Sequence, residues 1–176
     1  MAKENIMNKN TKKLTFTALG IALYVLLSMT MKIPLIGHIG LDLGYIVFAV
    51  YCYHCGIFSG VMVGGIGCVL VSLLTSGWFP PGWLLGNILI GVFCGWLYKR
   101  ENTNYAIIHN IIITITAVAL GILGVKTIVE CSLYDIPLAV KAPKSVVAFF
   151  TDTAVMCAGT LFARNKAITH YLEDFT

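Results

Sequence analysis

The chain has 176 residues, of which 58% are hydrophobic and only 11% charged, against roughly 25% charged in a soluble domain. Too few charges remain to coat a soluble globule, and hydrophobicity this high excludes a disordered chain. The net charge of +4 is modest and gives no argument for nucleic acid.

A helix that crosses a bilayer takes about 20 apolar residues, so six would use about 120 and leave short loops and two small tails. The sequence predicts that arrangement: one all-α integral membrane domain of six transmembrane helices. A polar tail, 1–13, carries Lys3, Lys9, Lys12 and Lys13. It is not a cleavable signal, because the apolar run behind it is too long for the core of one. The first run is about 14–31 and ends at Lys32 and Pro34. The second, 41–58, opens on Asp42, where a carboxylate suits the positive end of a helix. A Gly-rich turn at 56–60 leads to the third run, 61–74. Thr75-Ser-Gly-Trp-Phe-Pro-Pro-Gly82 is a loop marked by Gly and paired Pro. The fourth run is 83–98, closed by Lys99 and Arg100, and the fifth is about 105–125. A polar stretch, 126–144, reads as a loop. The sixth run, 145–163, contains Asp152, and 164–176 forms a second tail with Arg164 and Lys166.

Lys/Arg counting orients the chain. The side with both tails collects Lys3, Lys9, Lys12, Lys13, Lys99, Arg100, Arg164 and Lys166, against Lys32, Lys126, Lys141 and Lys144 opposite. Both termini are therefore expected in the cytoplasm of a multi-pass cell-membrane protein, with three loops facing outward: 32–40, 75–82 and 126–144.

Those outer loops hold His38, Trp78, Phe79, Glu130, Tyr134, Asp135, Lys141 and Lys144, with Asp42 and Trp83 at the adjoining helix ends. Aromatic planes among a few charges suit a flat, polar heterocycle: stacking supplies area, while charge and hydrogen bonds orient it. An interfacial aromatic belt has the same composition. Asp152 is the acidic residue well inside an apolar run, and a charge there is expensive unless paired or hydrated. It lies about two turns, roughly 10 Å, below the outer end of the sixth helix. Contact with a ligand and a buried hydrogen bond to Asn87, Thr151 or Thr153 are both open to it. Asn87 has the same two readings. Lys126 and Glu130, four apart, form either a simple helix pair or part of the site. Lys141 and Lys144 flank Pro143 and either meet an anionic group or stay solvated. The candidate substrate-binding set is Asp42, Trp78, Trp83, Asn87, Glu130, Tyr134, Lys144 and Asp152.

Other patterns lead to no chemistry. Cys52-x-x-Cys55 with His54 lacks the second ligand pair a structural zinc wants. The six cysteines fall mostly in apolar runs, where they act as small hydrophobes. Gly121-Ile-Leu-Gly-Val-Lys-Thr lacks a Gly directly before Lys and so is no phosphate loop. No Gly-x-Ser-x-Gly or His-Glu-x-x-His motif occurs, so neither an enzyme nor a cofactor is expected. His109 and Asn110 read as interfacial polar residues. Small residues four apart, Ala18-x-x-x-Ala22, Gly60-x-x-x-Gly64 and Gly91-x-x-x-Gly95, let helices approach closely, either within the bundle or with a partner.

The pattern resembles the substrate-binding S components of energy-coupling factor (ECF) transporters, over about residues 12–166. The length and six-helix layout fit. Ala18-x-x-x-Ala22 is similar to that family's docking motif for the transmembrane scaffold subunit. Lys32-Ile-Pro-Leu-Ile-Gly-His-Ile-Gly-Leu-Asp-Leu-Gly-Tyr-Ile46 resembles its first outer loop running into the second helix. Gly56-x-x-x-Gly60-x-x-x-Gly64 and Phe79-Pro-Pro-Gly-Trp-Leu-Leu-Gly-Asn87 resemble its third helix and third loop region. The resemblance implies a subunit in the bacterial plasma membrane that captures a vitamin outside the cell. It would then dock on a scaffold subunit bound to two ATPases, and topple in the lipid to open inward. Energy would come from those partners and specificity from this chain. The surroundings of Asp42 are similar to riboflavin-type members and Phe79-Pro-Pro-Gly to folate-type members. Flavin, pterin, thiamin-like and deazapurine ligands all stay open. A competing reading is a small ion channel or secondary carrier that moves a cation past Asp152, and another is an assembly protein without a ligand.

Overall fold

The computed structural model describes residues 2–30, 33–36, 39–101 and 103–165, with side-chain placement for 11–30, 41–101 and 103–165. Lys32, His38 and Lys166, and nearly all of the second tail, lie outside the described residues.

Helix α1, Ala2–Thr30, is 29 residues long. The expected polar tail is therefore helical. Residues 2–13 contain Ala, Lys, Glu and Met and neither Gly nor Pro, so nothing stops the helix from continuing backwards. The segment between α1 and the next helix contains a small antiparallel hairpin, β1 (Ile33–Ile36) and β2 (Ile39–Leu41), so the chain is not purely helical. Its register pairs Ile33 with Leu41 and Pro34 with Gly40, and shifts before Ile36.

The second and third apolar runs are the two legs of helix α2, Gly44–Ser76, and the break falls on Gly56 at φ 74°, ψ −161°. That backbone region is essentially reserved for glycine. The legs fold back on one another: Gly60 meets Cys52 and Gly64 meets the Phe48 ring, each equally far from Gly56. Helix α3 is Pro81–Leu97, started by a proline at its first position, where no N–H is lost. Gly91 and Gly95 of α3 press on the backbone at Gly60–Val61 and Gly56–Ile57. Both Gly-x-x-x-Gly pairs therefore serve packing inside the bundle.

The expected loop at 126–144 is almost entirely helical. Helix α4, Asn104–Val118, passes into a π-helical stretch, Ala119–Lys126, and then α5, Thr127–Tyr134. Asp135, in the left-handed region at φ 50°, ends α5, and α6 (Leu138–Ala163) follows Pro137. Polarity alone made this stretch resemble a loop; what ends helices here is the left-handed Asp135 and Pro137.

The molecule is apolar outside as well as inside. Leu26, Trp96, Ile108, Phe150 and Phe162 are all more than half exposed, the pattern of a body solvated by lipid. Among the described residues, four helical stretches are long and apolar enough to cross a membrane: Thr11–Thr30, Gly44–Ser76, Asn104–Tyr134 and Leu138–Ala163; α3 is shorter and also apolar. The core, with Phe48, Ile90, Cys94 and Met156, fills the half of the bundle toward Gly56. Polar residues within it are paired: the Tyr98 hydroxyl lies 2.6 Å from that of Thr114 and 3.1 Å from that of Thr160. Asn110 accepts from the Lys99 N–H and donates to its carbonyl. His54 Nε2 lies 2.8 Å from the Ala163 carbonyl.

Candidate binding site

The other half of the bundle is hollow. A cavity of about 400 Å³ opens where α1 ends and α2 begins, a volume suited to a small ligand. Its walls come from α1, both legs of α2, α3, the π-helical stretch and α6.

Asp42 stands on the rim just ahead of α2. Its Oδ1 accepts from Ser28 Oγ at 2.6 Å and from the Gly44 N–H at 2.9 Å, which ties α1 to α2. At the start of α2, Tyr45 donates its hydroxyl to Asn87 Oδ1 at 2.9 Å, and Asn87 Nδ2 donates to the Gly64 carbonyl at 3.1 Å. Asn87 thus fixes both legs of α2 to α3 and lines the cavity. Tyr24 from α1 packs obliquely on Tyr45, ring centroids 6.3 Å apart. Gly67 leaves the room that the Tyr24 ring fills.

Asp152, on α6, is 3% exposed and lines the cavity. Thr151 Oγ1 lies 3.4 Å from its Oδ1, but also 2.9 Å from the Ala148 carbonyl, which is the better bond. Trp83 lines the facing wall with the Lys126 ammonium 3.8 Å above its ring, a cation–π contact. Lys126 sits at the end of the π-helical stretch, which lies in a trough made by Gly82 and Gly86 of α3: a Cβ on Gly86 would stand 2.8 Å from the Gly121 carbonyl oxygen. Such local π geometry is frequent at functional sites. Lys141 and Lys144 line the cavity from the first turns of α6.

Of the eight candidate binding residues, Asp42, Trp83, Asn87, Lys144 and Asp152 line this cavity and Trp78, Glu130 and Tyr134 do not. Glu130 forms an ion pair with Lys141 from behind the wall. It makes none with Lys126 among the described residues, so the expected helix pair at 126 and 130 is replaced by one between two helices. Trp78 is 62% exposed and donates its indole N–H to the Tyr134 hydroxyl at 3.2 Å, bridging the loop after α2 to the end of α5. The backbone of that loop is held by Ser72, whose hydroxyl donates to the Trp78 carbonyl at 2.8 Å. Residues that sequence reasoning left out of the set include Tyr24, Tyr45, Ser72, Lys126 and Lys141. A signal for one of them existed: Lys141, Lys144, Ala148 and Thr151 recur every three to four residues and so share one face of α6. The tyrosines carried no such signal; the inward place of Tyr24, for one, depends on the facing Gly67.

Ala18 and Ala22 are exposed on α1, whereas Gly20 between them turns inward on the Tyr51 ring.

Residues 8–164 match the family model described as "ECF-type riboflavin transporter, S component". Among solved structures, the S component for biotin from an ECF-type ABC transporter superposes with a TM-score of 0.62 over 89% of this chain and 91% of that one, at 20% identity. That likeness concerns the fold. Among curated proteins, a UPF0397 protein of Lactococcus lactis subsp. cremoris (strain SK11) is 33% identical over 110 residues, covering 61% of this chain and 57% of its own. A UPF0397 protein of Streptococcus thermophilus (strain ATCC BAA-491 / LMD-9) is 27% identical over 93 residues, covering 53% and 51%. The matched region spans little more than half the length of these curated relatives.

Proposed function

Because the chain belongs to the family of ECF-type riboflavin transporter S components, multi-pass membrane subunits rather than enzymes, we propose that it captures a vitamin-like aromatic heterocycle outside the cell and hands it on by docking to a scaffold and ATPase module. The observation that carries this reading is the cavity itself: three aromatic rings, Tyr24, Tyr45 and Trp83, with Asp152 and Asn87 between them, in a volume of about 400 Å³. Rings supply stacking area, and the buried carboxylate and amide select the hydrogen-bonding edge of a heterocycle.

Six crossings with both termini cytoplasmic are part of the proposal. The six helical segments, with α2 counted as two legs, support it. So does the Lys/Arg asymmetry of the loops. In that orientation the cavity faces outward. Ala18 and Ala22 then present a small-residue face to lipid, suited to close approach of a scaffold helix. The chain has no phosphate loop, so hydrolysis of ATP falls to two partner subunits. Against the carrier reading, Val155 and Met156, the next turn of α6 beyond Asp152, are buried in the apolar core.

Mass spectrometry of the small molecule that co-purifies with the detergent-solubilised chain tests the reading directly. A flavin, pterin or related heterocycle is the expected find. Trp83→Ala and Asp152→Asn should each weaken its binding by about 1–3 kcal/mol, the scale of one stacking or polar contact. Unchanged affinity in both variants would remove the cavity as the capture site.

A further inference from the structure

The charges lining the cavity are sorted by position. Lys141 and Lys144 lie on the first turns of α6, and Asp152 lies eight residues beyond Lys144 on the same helix, roughly 12 Å along its axis. Lys126 enters from the π-helical stretch across the cavity. Three ammonium groups therefore gather at the outer end and one carboxylate at the inner end. Among the described residues, only Lys141 of the trio has an ion-pair partner. Glu130 pairs with Lys141 from behind the wall, and Asp42 stands on the α1–α2 side, bonded to Ser28 and the Gly44 amide. Among the described residues Lys144 forms no ion pair. Nor can Lys126 be read as a lysine snorkelling to water, since it is only 4% exposed and its ammonium rests on the Trp83 ring.

A ligand that fills this volume strips water from those ammonium groups. A neutral ligand would leave Lys126 and Lys144 desolvated without an ion-pair partner, which is costly; an anion would complete charge-assisted hydrogen bonds with them. We propose that the captured heterocycle carries an anionic group, a carboxylate or a phosphate, and that Lys126, Lys141 and Lys144 are its subsite. The hydrogen-bonding edge of the ring system then points the opposite way, toward Asp152 and Asn87. This rests on the capture reading above and narrows it to one ligand class.

The test uses the full chain in detergent and matched probes: riboflavin against flavin mononucleotide, pterin against pterin-6-carboxylate, and inorganic pyrophosphate alone. Binding is read by quenching of tryptophan fluorescence and by the shift in melting temperature. In at least one pair the anionic member should bind about tenfold or more tighter at low salt, with the preference shrinking as salt rises. The responding pair tells phosphate from carboxylate. Lys144→Gln, at an exposed position, should lower the anionic-to-neutral affinity ratio about fivefold, and Lys126→Gln should act alike. If the neutral member binds as tightly as the anionic one, or the ratio ignores Lys144→Gln, the anion subsite is wrong while heterocycle capture stands. Pyrophosphate binding that depends on Lys144, with every heterocycle silent, keeps the subsite and sinks heterocycle capture. Silence from all five probes overturns both.

Discussion

At the scale of single residues, glycines decide where this molecule is solid and where it is hollow. Gly121 touches the Gly86 carbonyl oxygen closely enough that a Cβ would sit 2.8 Å from it and 2.7 Å from Ile90 Cγ1. Backbone cannot step aside as a side chain can, so Gly121→Ala should destabilise the fold by about 1–3 kcal/mol. Gly124, three residues on in the same π-helical stretch, has nothing within 4 Å of such a Cβ. Gly124→Ala should shift stability by less than about 1 kcal/mol, in the favourable direction. Thermal unfolding of the two variants in detergent checks the contrast; equal melting temperatures would contradict it. The site was legible at this scale where a residue type is itself improbable in lipid: Asp152, Asn87 and Asp42 stood out by polarity, and Trp83 and Lys144 by their place beside a loop. Trp78 and Tyr134 share that composition but meet each other on the surface. Composition cannot say which way a ring faces. Tyr24 and Tyr45 were hidden for the same reason.

At the scale of elements, the apolar runs fall on helices among the described residues, because lipid demands continuous apolar length. They could not locate where each helix stops. Only Pro137 and the left-handed Asp135 interrupt the polar stretch after α4, so it folds as the end of one helix and the start of the next. The hairpin of β1 and β2 carried a period too short to register against its apolar neighbours. Gly56 is the hinge on which α2 doubles back, at a φ of 74° with ψ at −161°. Gly56→Ala should cost about 1–3 kcal/mol. Native-state proteolysis and the melting temperature of that variant both report on the hinge, and an unchanged melting temperature would show that the legs do not need it.

For the whole molecule, capture and delivery should be separable, since the cavity and the Ala18/Ala22 face share no residue. Ala22→Trp, placed on an exposed position of α1, should abolish uptake in cells that supply the partner subunits, while ligand affinity of the purified chain stays within about twofold, because no cavity contact changes. Equal loss of affinity and uptake would show that the face is not a docking surface.

The hollow half and the packed half also have a joint consequence. Tyr45, Asn87 and Asp152 line the chamber, and one turn further on Phe48, Ile90 and Met156 close it like a floor. A chamber floored in this way is filled and emptied from the end near Asp42 and Lys144. Under the capture reading proposed above, cargo would reach the far compartment only if that end itself came to face it.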